Sequence, residues 1–352
     1  MAAGLAAAAV PGRPPAAGGG AAARPRRLGT HPARGRDGRG GLSVAPRAGG
    51  ARSRGVALVT ALLVVALAAA AAAWAGREVG LSLARGERLA HAAQAALYAR
   101  GMEAWALRIL AADDPAVDHG GERWARPVPP LPVEGGAVRG AITSPEGRLN
   151  LNDLLRSEAA RARFVRLCRL VDVDPGILPA ILDWLDPDQT PRAPGGAEDE
   201  YYTLQDPAYR AANGPFADVR ELRRVRGVDE AAYRRLAPYV AALPGEGAIN
   251  VNLAPPLILQ TLAEGLTEAD GAALAEARAA RPFGSVDELL RQPALAGRAV
   301  AKEGLAVASR FFVVRAEARV GRARARLASV VLRRRGVPTV VGRSLGRTGV
   351  ME

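Results

Sequence analysis

The sequence predicts an α+β fold in which a long N-terminal helix precedes an all-α middle region and a C-terminal antiparallel β-meander. An uncharged stretch of 21 residues, 56–76, continues into an amphipathic pattern with apolar residues at mostly three- and four-residue spacing. Glycine, proline and aspartate interrupt the middle of the chain every 10–20 residues, which is typical of short helices. From Phe312 onward apolar residues alternate with polar ones, as in strands that bury one face.

The positive charge of the chain lies at its two ends. The net charge is +13, to which residues 1–55 contribute +9, residues 315–352 contribute +8 and residues 56–314 contribute −4. A nucleic-acid-binding domain needs a basic folded face, so this distribution weakens such an interpretation. The single cysteine, Cys168, excludes an internal disulfide and a cysteine-based zinc site. Its apolar helical surroundings predict a core position.

Residues 56–76 are expected to span a membrane. A helix of 21 residues is about 31 Å long at ~1.5 Å per residue, close to the hydrocarbon thickness of a bilayer; a buried alanine-rich core helix is the alternative. Eight arginines between residues 26 and 54 precede it, which places the N-terminus in the cytoplasm. Residues 1–55 contain almost no large apolar side chain. They are predicted to be a disordered basic arm or, equally, the product of a start codon placed too far upstream.

The rest of the chain divides by composition and periodicity. The predicted segments are 77–149 (continuation of the helix to Pro115, then irregular proline-rich chain and a strand at Val138–Thr143), 150–308 (helical region), 309–345 (strands) and 346–352 (tail). Asn152 is expected to cap the helix that follows it. The motif that contains it, Asn150-Leu151-Asn152, recurs as Asn250-Val251-Asn252. The arginines of the last strands are interpreted as the solvated face of a sheet, with a surface for an acidic partner as the alternative.

The junction between Gly55 and Val56 resembles the processing site of type IV pilins and of the pseudopilins of type II secretion. Arg54-Gly55 stands directly before the apolar helix, whereas a signal peptide has its cleavage site behind the apolar core. The resemblance implies that prepilin peptidase cuts after Gly55, methylates Val56 and leaves the helix attached. These families usually carry glutamate at the fifth mature position, where this chain has Thr60. The glutamate offsets a neighbour's buried N-terminal ammonium, so the resemblance implies a subunit with none ahead of it.

Further motifs resemble one branch of these families, the general secretion pathway protein K minor pseudopilins. They follow one another in the expected order over about residues 54–345: 147–152, Leu182–Asp188, Gly195–Glu198, Tyr201-Tyr202, Asn213–Pro215, Glu221–Arg223, Leu236–Val240 and 249–252. The resemblance implies a pilin-like αβ domain with a large inserted helical domain of helix-hairpin-helix or SAM-like type.

The same resemblance implies a subunit at the tip of the pseudopilus that initiates or caps the fibre during protein export across the outer membrane. The implied partners are the I, J and H types of minor pseudopilin, the major pseudopilin, the inner-membrane assembly platform and prepilin peptidase. The implied location is the bacterial inner membrane, with a single pass and the bulk of the chain in the periplasm.

Six carboxylates within 18 residues form the densest polar cluster: Asp183, Asp186, Asp188, Glu198, Asp199 and Glu200. Like charges repel one another unless a cation intervenes, and oxygen ligands without histidine or cysteine favour Ca²⁺. Pro191 stands where an EF-hand has glycine, and a solvated acidic loop is the alternative. The resemblance favours calcium, because the helical domain of the family binds it in this region. The predicted ligands are Asp186, Asp188, Glu198 and Asp199, with Thr190 as an addition.

Residues 221–230 suggest a rival function, a helix-hairpin-helix DNA-binding membrane protein of a competence-type system. Phosphate-binding hairpins use two glycines, but here Asp229 replaces the second and would repel the phosphate. Five arginines keep the alternative open: Arg223, Arg224, Arg226, Arg234 and Arg235. No nucleophile-base set or nucleotide-binding loop is present in the sequence, and a glycosidase built on carboxylates near Trp184 is disfavoured, so the chain is not expected to be an enzyme.

Overall fold

The computed structural model describes the backbone of residues 52–345 and the side chains of residues 56–345. The predicted basic arm therefore lies outside the described residues except for the backbone of residues 52–55, and the predicted tail, residues 346–352, lies wholly outside them. Among the described residues, one compact unit ends at Ala70 and a second begins at Ala71.

Helices and strands follow the predicted order along the described part of the chain. The helices are α1 (Arg52–Ala111), α2 (Glu158–Leu170), α3 (Leu178–Leu185), α4 (Asp199–Tyr202), α5 (Glu230–Leu236), α6 (Pro256–Gln260), α7 (Glu268–Ala280) and α8 (Val286–Leu290). The strands are β1 (Val128–Val133), β2 (Gly136–Thr143), β3 (Leu149–Asn150), β4 (Val240–Ala241), β5 (Ile249–Asn250), β6 (Leu305–Ala306), β7 (Phe311–Val320), β8 (Ala323–Arg334) and β9 (Val337–Leu345). The predicted α+β fold class, with its long first helix and its C-terminal meander, is confirmed.

Helix α1 has 60 residues and contributes to both units. It is long and apolar enough to cross a membrane, and none of its most apolar 18-residue window is buried. The sequence predicted that it would reach Pro115, but it ends at Ala111. The residue before Pro115, Asp114, avoids the α conformation because of the proline ring. Asp113, just past the end of the helix, accepts a hydrogen bond from Arg333 (3.0 Å).

Five antiparallel strands form one sheet in the order β1-β2-β7-β8-β9. The C-terminal part of α1 packs on one face, where Ala95, Ala99 and Met102 form a buried cluster with Val138 and Ala318. The segment predicted to be irregular from its prolines forms strand β1, which was not expected. Its edge position explains this, because an edge strand needs no N–H on its outer side, and its pairing shifts register between Val128 and Leu131.

The helical region consists of two similar halves. Each half begins with a two-residue strand that pairs in parallel with a strand at its end, β3 with β4 and β5 with β6. Each also contains a Pro-Phe pair, Pro215-Phe216 or Pro282-Phe283, that precedes a short helical hairpin. The first half has residues 186–214 between the end of α3 and its Pro-Phe pair, whereas the second has only Arg281 between α7 and its pair. The acidic loop is therefore the feature that distinguishes the first half.

One asparagine in each half, the half-buried Asn152 or the buried Asn252, connects distant parts of that half. Asn152 accepts the N–H of Phe216 (2.8 Å) and donates to its carbonyl (3.0 Å), and Asn252 does the same with Phe283 (2.9 and 3.0 Å). The prediction that Asn152 caps a helix was wrong: Asn150 caps the short 3₁₀ turn at Leu151–Asp153. A side-chain amide both donates and accepts, so one asparagine satisfies both backbone groups of a buried residue.

Glu146 connects the sheet to the helical region. It lies in the 3₁₀ turn Pro145–Gly147 and is 1% exposed. Its carboxylate accepts the N–H groups of Arg310 and of Phe311 (2.9 Å), at the start of β7. Burial raises the pKa of Glu146 to about 7, against the stabilising effect of these two hydrogen bonds.

This raised pKa predicts a pH-dependent stability that Glu146→Gln removes. The folded pKa of about 7 lies above the ordinary glutamate value of 4.5, so the contribution of Glu146 to stability is fully present below pH 4.5 and is lost as the pH rises through 7. Chemical unfolding from pH 4 to 8 should show the variant gaining about 3 kcal/mol on the wild type across this window. Parallel stability curves for the two proteins would contradict the prediction.

Candidate metal centre

The acidic loop is folded back by one buried carboxylate, that of Asp183 in α3. Asp183 is 0% exposed. It accepts hydrogen bonds from the backbone (3.1 Å) and the guanidinium (2.7 Å) of Arg192 and from the N–H of Ala197 (2.8 Å). These contacts bring the far end of the loop back against the helix from which it starts.

Gly196 fits closely into this turn. A Cβ at this position would lie 2.2 Å from Oδ2 of Asp183 and 2.4 Å from the backbone nitrogen and oxygen of Arg192. Its carbonyl also accepts a hydrogen bond from Arg226 (2.9 Å), which comes from the neighbouring hairpin. The loop therefore admits only glycine here without moving apart.

Three of the predicted ligands converge. Carboxylate oxygens of Asp186, Asp188 and Glu198 all lie within 4.8 Å of one another. Asp186 and Glu198 are each 3% exposed, whereas Asp188 is exposed. Oδ1 of Asp186 and both oxygens of Glu198 are buried without a hydrogen-bond partner. Buried polar atoms are almost always paired, so this cluster needs a cation or protons.

The other two predicted ligands lie differently. Asp199 accepts the N–H of Ala211 (3.0 Å) and approaches Arg210 (3.7 Å), and it is not part of the group of converging carboxylates. The backbone N–H of Thr190 donates to Asp188 (2.8 Å), which orients that carboxylate. The sequence showed Asp183 as one of six acids but did not predict that it closes the loop. An aspartate within the apolar helix Leu178–Leu185 could have indicated this buried role.

Electrostatics at the cluster favour a cation. Burial first, and then the surrounding carboxylates of Asp183, Asp186, Asp188 and Asp199, raise the pKa of Glu198 to about 7. Arg192 bonds Asp186 as well as Asp183, but it leaves the oxygens of Glu198 unpaired. Carboxylate oxygens without nitrogen or sulfur are the ligands that hard cations such as Ca²⁺ prefer.

A cluster of aromatic rings packs around the chain at the ends of the acidic loop. Trp184 stacks with Phe216 (6.3 Å between ring centroids) and meets Tyr202 edge-on (5.4 Å). Tyr202 in turn lies 5.3 Å from Tyr209. The two ends of the inserted segment are thus fixed on one apolar cluster, and the acidic residues occupy the chain between them.

A second group of carboxylates, Asp113, Asp118 and Glu122, also converges within 4.8 Å. Here the guanidinium of Arg333, which is 3% exposed, bonds both Asp113 (3.0 Å) and Asp118 (2.6 Å). Glu122 accepts a hydrogen bond from the indole of Trp124 (2.6 Å). Arg333 thus pairs with two of these acids and Trp124 bonds the third, so the protein itself already satisfies the group.

The hairpin at residues 221–230 does not have the features of a DNA-binding element. Asp229 is the N-cap of α5 and accepts the N–H of Ala232 (2.7 Å), so a carboxylate occupies the helix end where a phosphate would bind. The five arginines contact groups of the protein itself: Arg223 and Arg234 (Glu230), Arg235 (Asp172), Arg226 (Gly196) and Arg224 (Tyr209). The DNA-binding alternative is not supported.

The predicted processing junction lies at the start of α1. Gly55 and Val56 are helical, and Val56 is exposed. The hydroxyl of Thr60 donates to the carbonyls of Val56 and Ala57, both at 3.0 Å. The hydroxyl of Thr60 is thus hydrogen-bonded within its own helix.

Comparison with known proteins identifies the family. Two family models described as type II secretion system protein K match residues 147–245 and 249–308. The type II secretion system protein K of Pseudomonas aeruginosa is 36% identical over 84% of this chain and 94% of its own length. This chain belongs to the type II secretion system protein K family. The Klebsiella pneumoniae protein K is 34% identical over 84% of this chain and 97% of its own.

A solved structure agrees with this assignment to the protein K family, whose members are minor pseudopilins. A chain of the GspK–GspI–GspJ complex of the enterotoxigenic Escherichia coli type II secretion system matches with a TM-score of 0.67 and 26% identity. The match covers 75% of this chain and all of that one. The boundary between the two family models, residues 245–249, coincides with the boundary between the two halves of the helical region.

The packing at Gly196 predicts that Gly196→Ala opens the acidic loop. The added methyl group would push Asp183 away from Ala197 and remove buried hydrogen bonds, which should cost about 2 kcal/mol or more and lower the melting temperature by several degrees. Gly214→Ala is the matched control, since its nearest neighbour lies at 3.7 Å, and it should leave the melting temperature unchanged within about 1 °C. Equal melting temperatures for the two variants in thermal unfolding would contradict the packing.

Proposed function

We propose that this protein K is the tip subunit of a type II secretion pseudopilus and that it initiates or caps the fibre. The observation that carries the proposal is Thr60. Its hydroxyl bonds its own helix backbone and has no charge to offset the N-terminal ammonium of a subunit ahead of it. An unpaired buried ammonium is costly, so a subunit with threonine here suits the one position that has no subunit ahead.

The helical region supports the same placement. It adds two helical halves, residues 149–241 and 249–306, to a sheet and helix of pilin type. Such a bulky addition suits the end of a fibre better than its shaft. The solved relative was crystallised with GspI and GspJ; we propose equivalent minor pseudopilin partners here, together with an H type, the major pseudopilin and the assembly platform. The work of this protein is then mechanical and not catalytic.

The proposed location is the bacterial inner membrane, with the N-terminus in the cytoplasm and the other domains in the periplasm. The apolar part of α1 and the arginines before it support this location. Prepilin peptidase would remove residues 1–55 and keep the helix.

Intact mass tests the processing step. Chain extracted from membranes of cells that express prepilin peptidase should have the mass of residues 56–352, which is 297 residues, plus one methyl group. Gly55→Val should retain the leader, because the peptidase of these families cuts after glycine, whereas Gly76→Val, at the far end of the apolar stretch, should be processed normally. A mature chain that begins downstream of Gly76 would refute the retained anchor and, with it, the place in the fibre.

Calcium is the second part of the proposal. Asp186, Asp188 and Glu198 would hold the ion, since their oxygens converge and three of them are buried and unpartnered. Loop carbonyls and water are the usual remaining ligands of Ca²⁺. The bound ion would neutralise the carboxylates and fix the loop on the aromatic cluster. Asp183 and Arg192 would position the loop without being ligands.

Thermal unfolding of the full chain in detergent tests the ion. At pH 7.5, calcium at about 100 times its dissociation constant should raise the melting temperature by roughly 5–10 °C over chelator. Glu198→Gln should abolish this rise and stabilise the chelated protein, because it removes a buried, repelled carboxylate. Glu200→Gln, exposed and outside the cluster, should respond to calcium as the wild type does. A wild type insensitive to chelator would refute the calcium site and leave the tip assignment untouched.

A further inference from the structure

The face of the sheet opposite α1 carries a dense group of arginines at one end. Paired residues on neighbouring strands share a face, and the register aligns Arg139 with Glu317 and Arg326 in one row and Ala137 with Arg319 and Arg324 in the next. The other end of this face is covered, since Phe311 and Val313 pack with Leu243 of the helical region. The exposed end holds five arginines and one acid: Arg139, Arg315, Arg319, Arg324, Arg326 and Glu317.

The row of Glu317 shows how a carboxylate fits this surface. Its oxygen lies 2.7 Å from Arg139 on β2 and 3.8 Å from Arg326 on β8. A carboxylate on the middle strand is thus held between arginines from both neighbouring strands. This is the planar, two-sided recognition for which arginine is better suited than lysine.

The next row lacks such a carboxylate. Arg319 lies directly opposite Arg324, both are exposed, and no acidic partner within ion-pair distance occurs for either among residues 56–345. Like charges directly opposite one another on a sheet destabilise it. Glu317 in the neighbouring row attracts Arg324 but forms its ion pairs with Arg139 and Arg326. The fold therefore retains part of this repulsion, which an anionic partner would relieve.

A groove runs along the same surface. Its volume is about 620 Å³, and it lies between Pro127 and Pro130 at the sheet edge and the arginines Arg139, Arg315 and Arg326. Residues 1–51 contain eight arginines and one acid, Asp37, and residues 346–352 contain one arginine and one acid, Glu352, so neither segment offers two acidic side chains on one strand face. The occupant must therefore come from another molecule.

We propose that this arginine face binds an acidic segment of another protein, with at least two carboxylates spaced like neighbouring residues on one face of a strand. Carboxylates rather than phosphates are favoured because Glu317 already occupies one position of the same pattern. The proposal goes beyond the tip assignment and the calcium site, and it depends on neither of them.

Binding of an acidic peptide to the full chain in non-ionic detergent tests the proposal. The probe is a fluorescein-labelled decapeptide of alternating glutamate and serine, followed by fluorescence anisotropy at low salt. Arg324→Glu should weaken binding by about tenfold or more, because reversal of a charge at a contact changes both attraction and steering. The matched control Arg334→Glu makes the same charge change ten residues along the same strand and should alter affinity less than twofold.

A second measurement separates lost binding from lost folding. Arg324→Glu places opposite charges across from each other at Arg319, so its melting temperature should rise by about 1–2 °C while its affinity falls. A peptide of glutamine and serine should not bind. The proposal is overturned if the acidic peptide does not bind, if both arginine variants lose affinity equally, or if dihexanoyl phosphatidylglycerol displaces the peptide at lower concentration than unlabelled peptide does, which would make the surface a lipid site.

Discussion

Repulsion among carboxylates in the interior is the constraint on which the acidic loop depends. Asp183 is the acid in this region whose charge the protein satisfies fully, with two backbone N–H groups and Arg192. By folding the loop back, Asp183 forces Asp186 and Glu198 out of solvent and toward each other. The loop is thus shaped by the protein but left with unpaired charge, which an external cation is best suited to neutralise.

The duplicated plan of the helical region explains where such a loop is tolerated. In both halves an asparagine clamps a phenylalanine backbone, so the chain between the asparagine and the phenylalanine is fixed at its two ends. Long insertions between fixed ends add little loop entropy. The first half has the acidic loop before its Pro-Phe pair, whereas in the second half the pair follows α7 after one residue. The asparagine contacts that hold both halves are therefore separate from the acidic loop, which only the first half has.

Periodicity and charge were sufficient to predict helix α1, the C-terminal meander, the buried Cys168, the acidic loop and the arginine face. Each of these features follows from a pattern of residues close together in the sequence. Long-range polar contacts were not predictable. Asn152 was taken for a cap because its partner Phe216 lies 64 residues away, and Glu146 meets Phe311 across 165 residues. Arg333 lies on the buried face of β8 because it forms an ion pair with the buried Asp118 there. Strand β1 was missed because its prolines are tolerated only by its place at the edge.

A crystal structure of the full chain grown in calcium, with anomalous diffraction to identify the ion, would show whether the acidic loop binds calcium. We expect one calcium-sized anomalous peak bounded by Asp186, Asp188 and Glu198, with carboxylate oxygens at about 2.3–2.6 Å from it. Density for water alone at this position, or a rearranged Arg192 that pairs with Glu198, would contradict it, because the protein would then neutralise its own buried charge.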